Sequence, residues 1–229
     1  MRIIAFDLDE TLGRFLDLSI IWNDANNQMY NLDQETFNYY CDLFPEFFRP
    51  NMLEILDYLA INKQRGDKIV IYTNNNGLKS WTLHIKKYIE HKLQKKIFDN
   101  VVCAYKVNGK IVEPKRTSYE KIYSDLLRCV GAPHGTTVCF VDDRIHPLMM
   151  NNYVKYIHVK PYHNRLNKED VLNTIANTGL PYYDFELSRN SINQCNNYNK
   201  TPQEEYIDEQ VTEEMFLHLS EFLLRKDGF

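Results

Sequence analysis

Three short apolar runs punctuate the chain: Ile3-Ile4-Ala5-Phe6, then Lys68-Ile69-Val70-Ile71-Tyr72 after a Gly66-Asp67 turn, then Thr137-Val138-Cys139-Phe140-Val141. Runs of this length, rich in branched side chains and without polar alternation, suit strands buried on both faces of a parallel sheet. Between them apolar residues recur at helical spacing. Residues 51–64 carry Met52, Ile55, Leu56 and Leu59 behind Pro50; 78–96 carry Trp81, Ile85, Ile89 and Leu93; and 118–130 carry Ile122, Leu126 and Leu127. Residues 156–159 predict one more strand, 168–176 a helix, and 211–226 a closing amphipathic helix with Met215, Leu219, Phe222 and Leu223 on one face. Strands alternating with helices imply right-handed βαβ units, and so a three-layer α/β/α, Rossmann-like domain with a mainly parallel central sheet.

At 229 residues and 44% hydrophobic content, one domain accounts for the whole chain. Two segments stand outside the strand-helix alternation. Residues 14–49 are rich in aromatics, among them Phe15, Trp22, Phe37, Tyr40 and Phe48, and read as a flap or small cap insertion. Residues 184–205 are polar and asparagine-rich, without a usable period, and read as a long loop.

A formal net charge of -4 argues against bulk binding to nucleic acid. The local cluster Lys86, Lys87, Lys92, Lys95 and Lys96 reads as a solvated helix face. Five cysteines at irregular spacing, without a CxxC pair, suggest reduced thiols. With no signal-peptide pattern and no apolar run near the ~20 residues of a membrane span, the expectation is a soluble intracellular protein, cytoplasmic or nuclear, without a membrane partner.

The first and third apolar runs close directly on acids, Asp7-Leu8-Asp9 and Asp142-Asp143. Ligands of open α/β sheets bind at the carboxyl ends of strands. Paired carboxylates there are costly unless compensated, and a divalent cation is a suitable compensator. Asp7 could attack a phosphorus atom and Asp9 could protonate the departing oxygen; a solvated turn or helix cap is the plainer alternative for an isolated acid pair. The second run ends in Thr73-Asn74-Asn75, where a hydroxyl can donate to a phosphate oxygen or simply cap the next helix.

Phe6-Asp7-Leu8-Asp9-Glu10-Thr11-Leu12 resembles the first motif, D-x-D-x-T, of the haloacid dehalogenase-like superfamily. Its Glu-Thr ending is similar to the branch of RNA polymerase C-terminal-domain phosphatases. Thr73 resembles the second motif, Lys115 in Glu113-Pro114-Lys115-Arg116 the third-motif lysine, and Val141-Asp142-Asp143-Arg144 the fourth. The resemblance spans roughly residues 1 to 160. It implies a magnesium-dependent phosphomonoester hydrolase with an aspartyl-phosphate intermediate. Asp7, Asp9, Thr73 and Lys115 would be catalytic, and Thr11, Thr73, Asn74 and Lys115 would contact substrate. The Asp7 carboxylate, the Asp9 backbone carbonyl and Asp142 would hold Mg2+, with Asp143 acting through water or orienting Lys115; the two adjacent acids are not ranked by sequence.

Phe48-Arg49-Pro50 is similar to the segment that precedes the second motif in the same branch. With an open site, this favours a phosphoserine or phosphothreonine protein as substrate. Thr73-Asn74-Asn75 departs from that branch and keeps a nucleotide, a sugar phosphate or a nucleic-acid end as alternatives. A non-catalytic scaffold on the same fold is the alternative of another class. His146, beside the fourth motif, reads as a surface histidine.

Overall fold

The computed structural model describes residues 1–29, 32–178, 185–195 and 198–225. Five parallel strands form the central sheet in the order β3-β2-β1-β6-β7: β1 (Arg2–Phe6), β2 (Lys68–Tyr72), β3 (Asn100–Val102), β6 (Thr137–Asp142) and β7 (Val154–His158). A small hairpin of β4 (Lys106–Val107) and β5 (Lys110–Ile111) lies apart from it. From the central β1 the chain builds outward through β2 and β3, then crosses to β6 and β7 on the other side. The gap between β1 and β6 is therefore the switch point at which such sheets bind ligands.

The three longest runs read from sequence are the three central strands, and alternate side chains enter two cores. Ile4, Phe6, Ile69, Ile71, Cys139 and Val141 share one core with α3 (Met52–Asn62), α4 (Lys79–Lys92) and α8 (Pro202–Leu224). Ile3, Ala5, Val70, Tyr72, Val138 and Phe140 face the other way, onto Tyr123, Leu126, Leu127 and Val130 of α5 (Tyr123–Val130). Helices on both faces make the three-layer α/β/α arrangement, consistent with the Rossmann-like fold of the haloacid dehalogenase resemblance.

The aromatic segment 14–49 folds as α1 (Leu16–Met29) and α2 (Gln34–Leu43). Its rings pack edge-on into the main core, Trp22 on Phe37 at 5.0 Å and Phe37 on Trp81 of α4 at 5.6 Å. The pair is thus built into the body of the domain rather than hinged over it, and one side of α1 walls the site. α6 (Lys168–Ala176) forms as its pattern predicts.

The stretch 184–205 departs from the long loop expected of it. α7 (Phe185–Ile192) occupies its first half, and Ser188 and Ser191 of that helix donate to Asp24 of α1 at 2.9 and 2.6 Å. α8 begins at Pro202, capped by reciprocal bonds between Thr201 and Glu204. Residues 184, 196 and 197 lie outside the described residues.

The lysine cluster is charge-paired in part, Lys86 with Glu90, Lys92 with Asp42 and Lys95 with Asp57. All five cysteines are free thiols. Among the described residues no helix is long and apolar enough to cross a membrane.

Candidate active site

The Asp7 amide donates to the Val141 carbonyl at 2.9 Å, which carries the β1–β6 ladder one residue past β1 and fixes Asp7 at the sheet rim. The chain then turns sharply, with Glu10 in the left-handed region at φ 62°. Arg49 bolts that turn in place. Its guanidinium, 1% exposed, donates to the carbonyls of Thr11 (2.7 Å), Glu10 (2.8 Å) and Lys160 (2.8 Å) and lies over the Tyr162 ring. Burial depresses its pKa to about 10. The Arg-Pro segment noted in the sequence therefore supports the first acidic loop from beneath.

On the floor of the site Lys121, not Lys115, meets the acids. The Lys121 ammonium donates to Asp7 Oδ1 at 2.5 Å and to Asp142 Oδ2 at 2.6 Å, with its side chain 2% exposed. Lys115 is exposed, and its described contact is a backbone carbonyl that accepts from Arg128. The expectation that Lys115 sits beside the nucleophile, and that Asp143 orients it, is corrected accordingly. The helix expected over 118–130 begins only at Tyr123, so Lys121 lies in the irregular segment leading into it and reaches the rim.

Thr11, expected to contact substrate, is fully buried beneath the site. Its hydroxyl donates to Asp143 Oδ1 and accepts from the Asp143 amide, both at 3.1 Å, tying the two acidic loops together. Thr73, 1% exposed, accepts the Asn75 amide on its hydroxyl oxygen at 3.0 Å, which leaves the hydroxyl proton for another acceptor. Asn74 reaches the site, but its side-chain carbonyl accepts from Arg116 at 2.7 Å. Asn75 Nδ2 donates to Asp9 Oδ2 at 2.6 Å.

Arg116, next to Lys115 in the third-motif segment, is a buried bracket. Its guanidinium donates to the carbonyls of Thr73, Cys103, Tyr119 and Glu120 and to Asn74 Oδ1. It thus couples the loop carrying Thr73 to the segment that delivers Lys121. His146 is buried too, its Nε2 lying 3.4 Å from Asp142 Oδ2, so the surface reading does not hold.

Asp7, Asp142 and Asp143 each bring a carboxylate oxygen within 4.8 Å of the others. Crowding has electrostatic consequences. Burial, reinforced by Asp142, raises the Asp7 pKa against the pull of Lys121. Burial together with Asp7 and Asp142 pushes Asp143 up to about 6. Asp142 is held below its ordinary value despite its burial, by His146, Lys121 and the Arg144 amide. One ammonium among three buried carboxylates leaves negative charge uncompensated, and a hard all-oxygen donor set matches Mg2+. The residues present therefore fit the ion that the sequence resemblance implies. Asp9 stands aside from this set: burial raises it to about 6, opposed by the Asn75 amide and assisted by Asp7 and Glu10.

A cavity of about 790 Å3 opens over these groups. Its charged lining, from Asp7 to Arg14, Lys121 and Asp142 to Arg144, belongs to the sheet rim. Beyond the rim, an arm of the cavity is lined by Ser19, Asn23 and Asn26 of α1 and by Asn76, Leu78 and Ser80 at the start of α4.

No family model and no curated protein matches this chain. Among solved structures it is similar to the structure of Fcp1, an essential RNA polymerase II CTD phosphatase, at 16% identity and a TM-score of 0.43. That match covers 96% of this chain, which spans 63% of the length of the other.

Proposed function

We propose that this protein is a phosphomonoester hydrolase that works through an aspartyl-phosphate at Asp7. The observation that carries the reading is the Lys121 ammonium held between Asp7 and Asp142 on the floor of a cavity that also receives Thr73 and Asp9. Phosphoryl transfer needs in-line positioning and dispersal of negative charge more than elaborate covalent chemistry, and these groups supply both. Asp7, Asp142 and Asp143 would hold Mg2+, with Asp9 offering its backbone carbonyl; when bound, the ion supplies charge neutralisation to carboxylates and phosphate.

Asp7 attacks phosphorus as the bond to the leaving oxygen breaks, and Asp9 gives its proton to that oxygen. A carboxyl with a pKa raised to about 6 carries a proton at mildly acidic pH and still releases it readily, which suits an acid that must later act as base. Asp9 then takes a proton from the water that attacks the aspartyl-phosphate, and phosphate leaves with Asp7 restored. The Thr73 hydroxyl and the Lys121 ammonium hold phosphoryl oxygens throughout.

For the substrate we propose phosphoserine or phosphothreonine in a protein. Asn23, Asn76, Leu78 and Ser80 are all exposed, so the arm forms an open trough that suits an extended chain passing over it. The activity is tested with p-nitrophenyl phosphate and Mg2+. Metal-dependent hydrolysis that Asp7→Asn abolishes, with unchanged circular dichroism, supports the reading; a wild-type rate in that variant excludes it.

A further inference from the structure

The cavity divides sharply by charge. Among the described residues, the charged lining side chains belong to the loops at the strand ends, with Arg14 just ahead of α1, whereas the α1–α4 arm is lined by amides, hydroxyls, leucines, two tryptophans and His84. On the arm's two helices Asp24 accepts from Gln28, Ser188 and Ser191, Lys86 pairs with Glu90, and Lys79 and Lys87, both exposed, are not among the lining residues. Burial, reinforced by Lys87, lowers the His84 pKa. An exposed leucine stands on each wall, Leu16 on one and Leu78 on the other.

We infer that this trough receives the residues flanking the phosphorylated serine or threonine and selects flanks that carry no charge. The inference rests on the phosphoprotein reading above. A charged flank entering the trough would exchange water for amide dipoles and leucine methyls, with no opposite charge among the described residues that line the arm to replace its hydration. A neutral flank loses nothing comparable, and it finds in Asn23 and Asn76 donors and acceptors for its backbone and in Leu16 and Leu78 apolar surface for its side chains.

The test compares three phosphoserine peptides of equal length whose flanks are neutral, aspartate-bearing or lysine-bearing, with p-nitrophenyl phosphate alongside. Wild-type protein should show kcat/KM at least about tenfold higher on the neutral peptide than on either charged one. Asn23→Asp, and independently Asn76→Asp on the facing wall, should raise the ratio of lysine-flanked to neutral kcat/KM several-fold and lower the aspartate-flanked ratio. Equal turnover of all three peptides, or ratios that neither variant moves, overturns the inference and leaves the proposed activity standing. Hydrolysis of p-nitrophenyl phosphate without turnover of any phosphopeptide overturns the inference and the protein-substrate reading together.

Discussion

Replacing Lys121 by methionine removes the ammonium that touches both Asp7 and Asp142 while keeping the length of the side chain. Breaking a buried ion pair by deleting one partner costs roughly 3–5 kcal/mol, because the remaining charge stays desolvated. That is a large share of the 5–15 kcal/mol total typical of a domain, so urea unfolding should move to clearly lower midpoint. Trp22 and Trp81, both beside the cavity, give the fluorescence signal. The loss should be greatest at neutral pH and shrink as acid protonates Asp7 and Asp142, since their repulsion is what the variant exposes. Turnover of p-nitrophenyl phosphate should fall about 10²–10³-fold, the usual loss for one preorganised group facing developing charge. Lys115→Met, at an exposed position, should stay within about 0.5 kcal/mol of wild type and keep its rate. Full activity in the Lys121 variant, or loss of activity in the Lys115 variant, would refute the assignment.

Arg116→Ala strands four backbone carbonyls that now share one guanidinium, so it should cost several kcal/mol in urea unfolding and lower kcat more than it raises KM. Arg116→Lys should recover part of the stability and little of the rate, because an ammonium lacks the planar fork that spans these acceptors. With Asp9 and Asp143 both raised to about 6, the folded protein without a divalent ion binds protons that the unfolded chain releases near 4. Stability should therefore fall as pH rises between about 4 and 6. Mg2+ should accordingly raise Tm more at about pH 7.5 than at about pH 4.5, by calorimetry, and an equal rise at both would count against a carboxylate site.

Buried strands were legible because they carry consecutive apolar residues, and the acids Asp7, Asp9, Asp142 and Asp143 were legible because they follow those runs directly. Thr73 was legible for the same reason. Lys121 was not: its place depends on the path of the chain just ahead of α5, a stretch that the helix expected over 118–130 had included. Thr11 was given a substrate contact because sequence shows its hydroxyl but not the Asp143 amide and carboxylate that engage it. β3, only three residues long, has too little pattern to register. The start of α8 was written in the sequence as Thr201-Pro202-Gln203-Glu204, a capping box with proline at the first helical position, but the surrounding polar residues masked it.

The most direct test is to trap the phosphorylated enzyme. Asp9→Asn keeps a similar shape but cannot take a proton from water, so with a radiolabelled aryl phosphate, whose leaving group needs no acid, the intermediate should accumulate. Rapid acid quench and peptide mapping should find hydroxylamine-sensitive label on the peptide containing Asp7, and none in Asp7→Asn. Turnover by the wild-type protein with no label in either background, or label on another residue, would contradict the account.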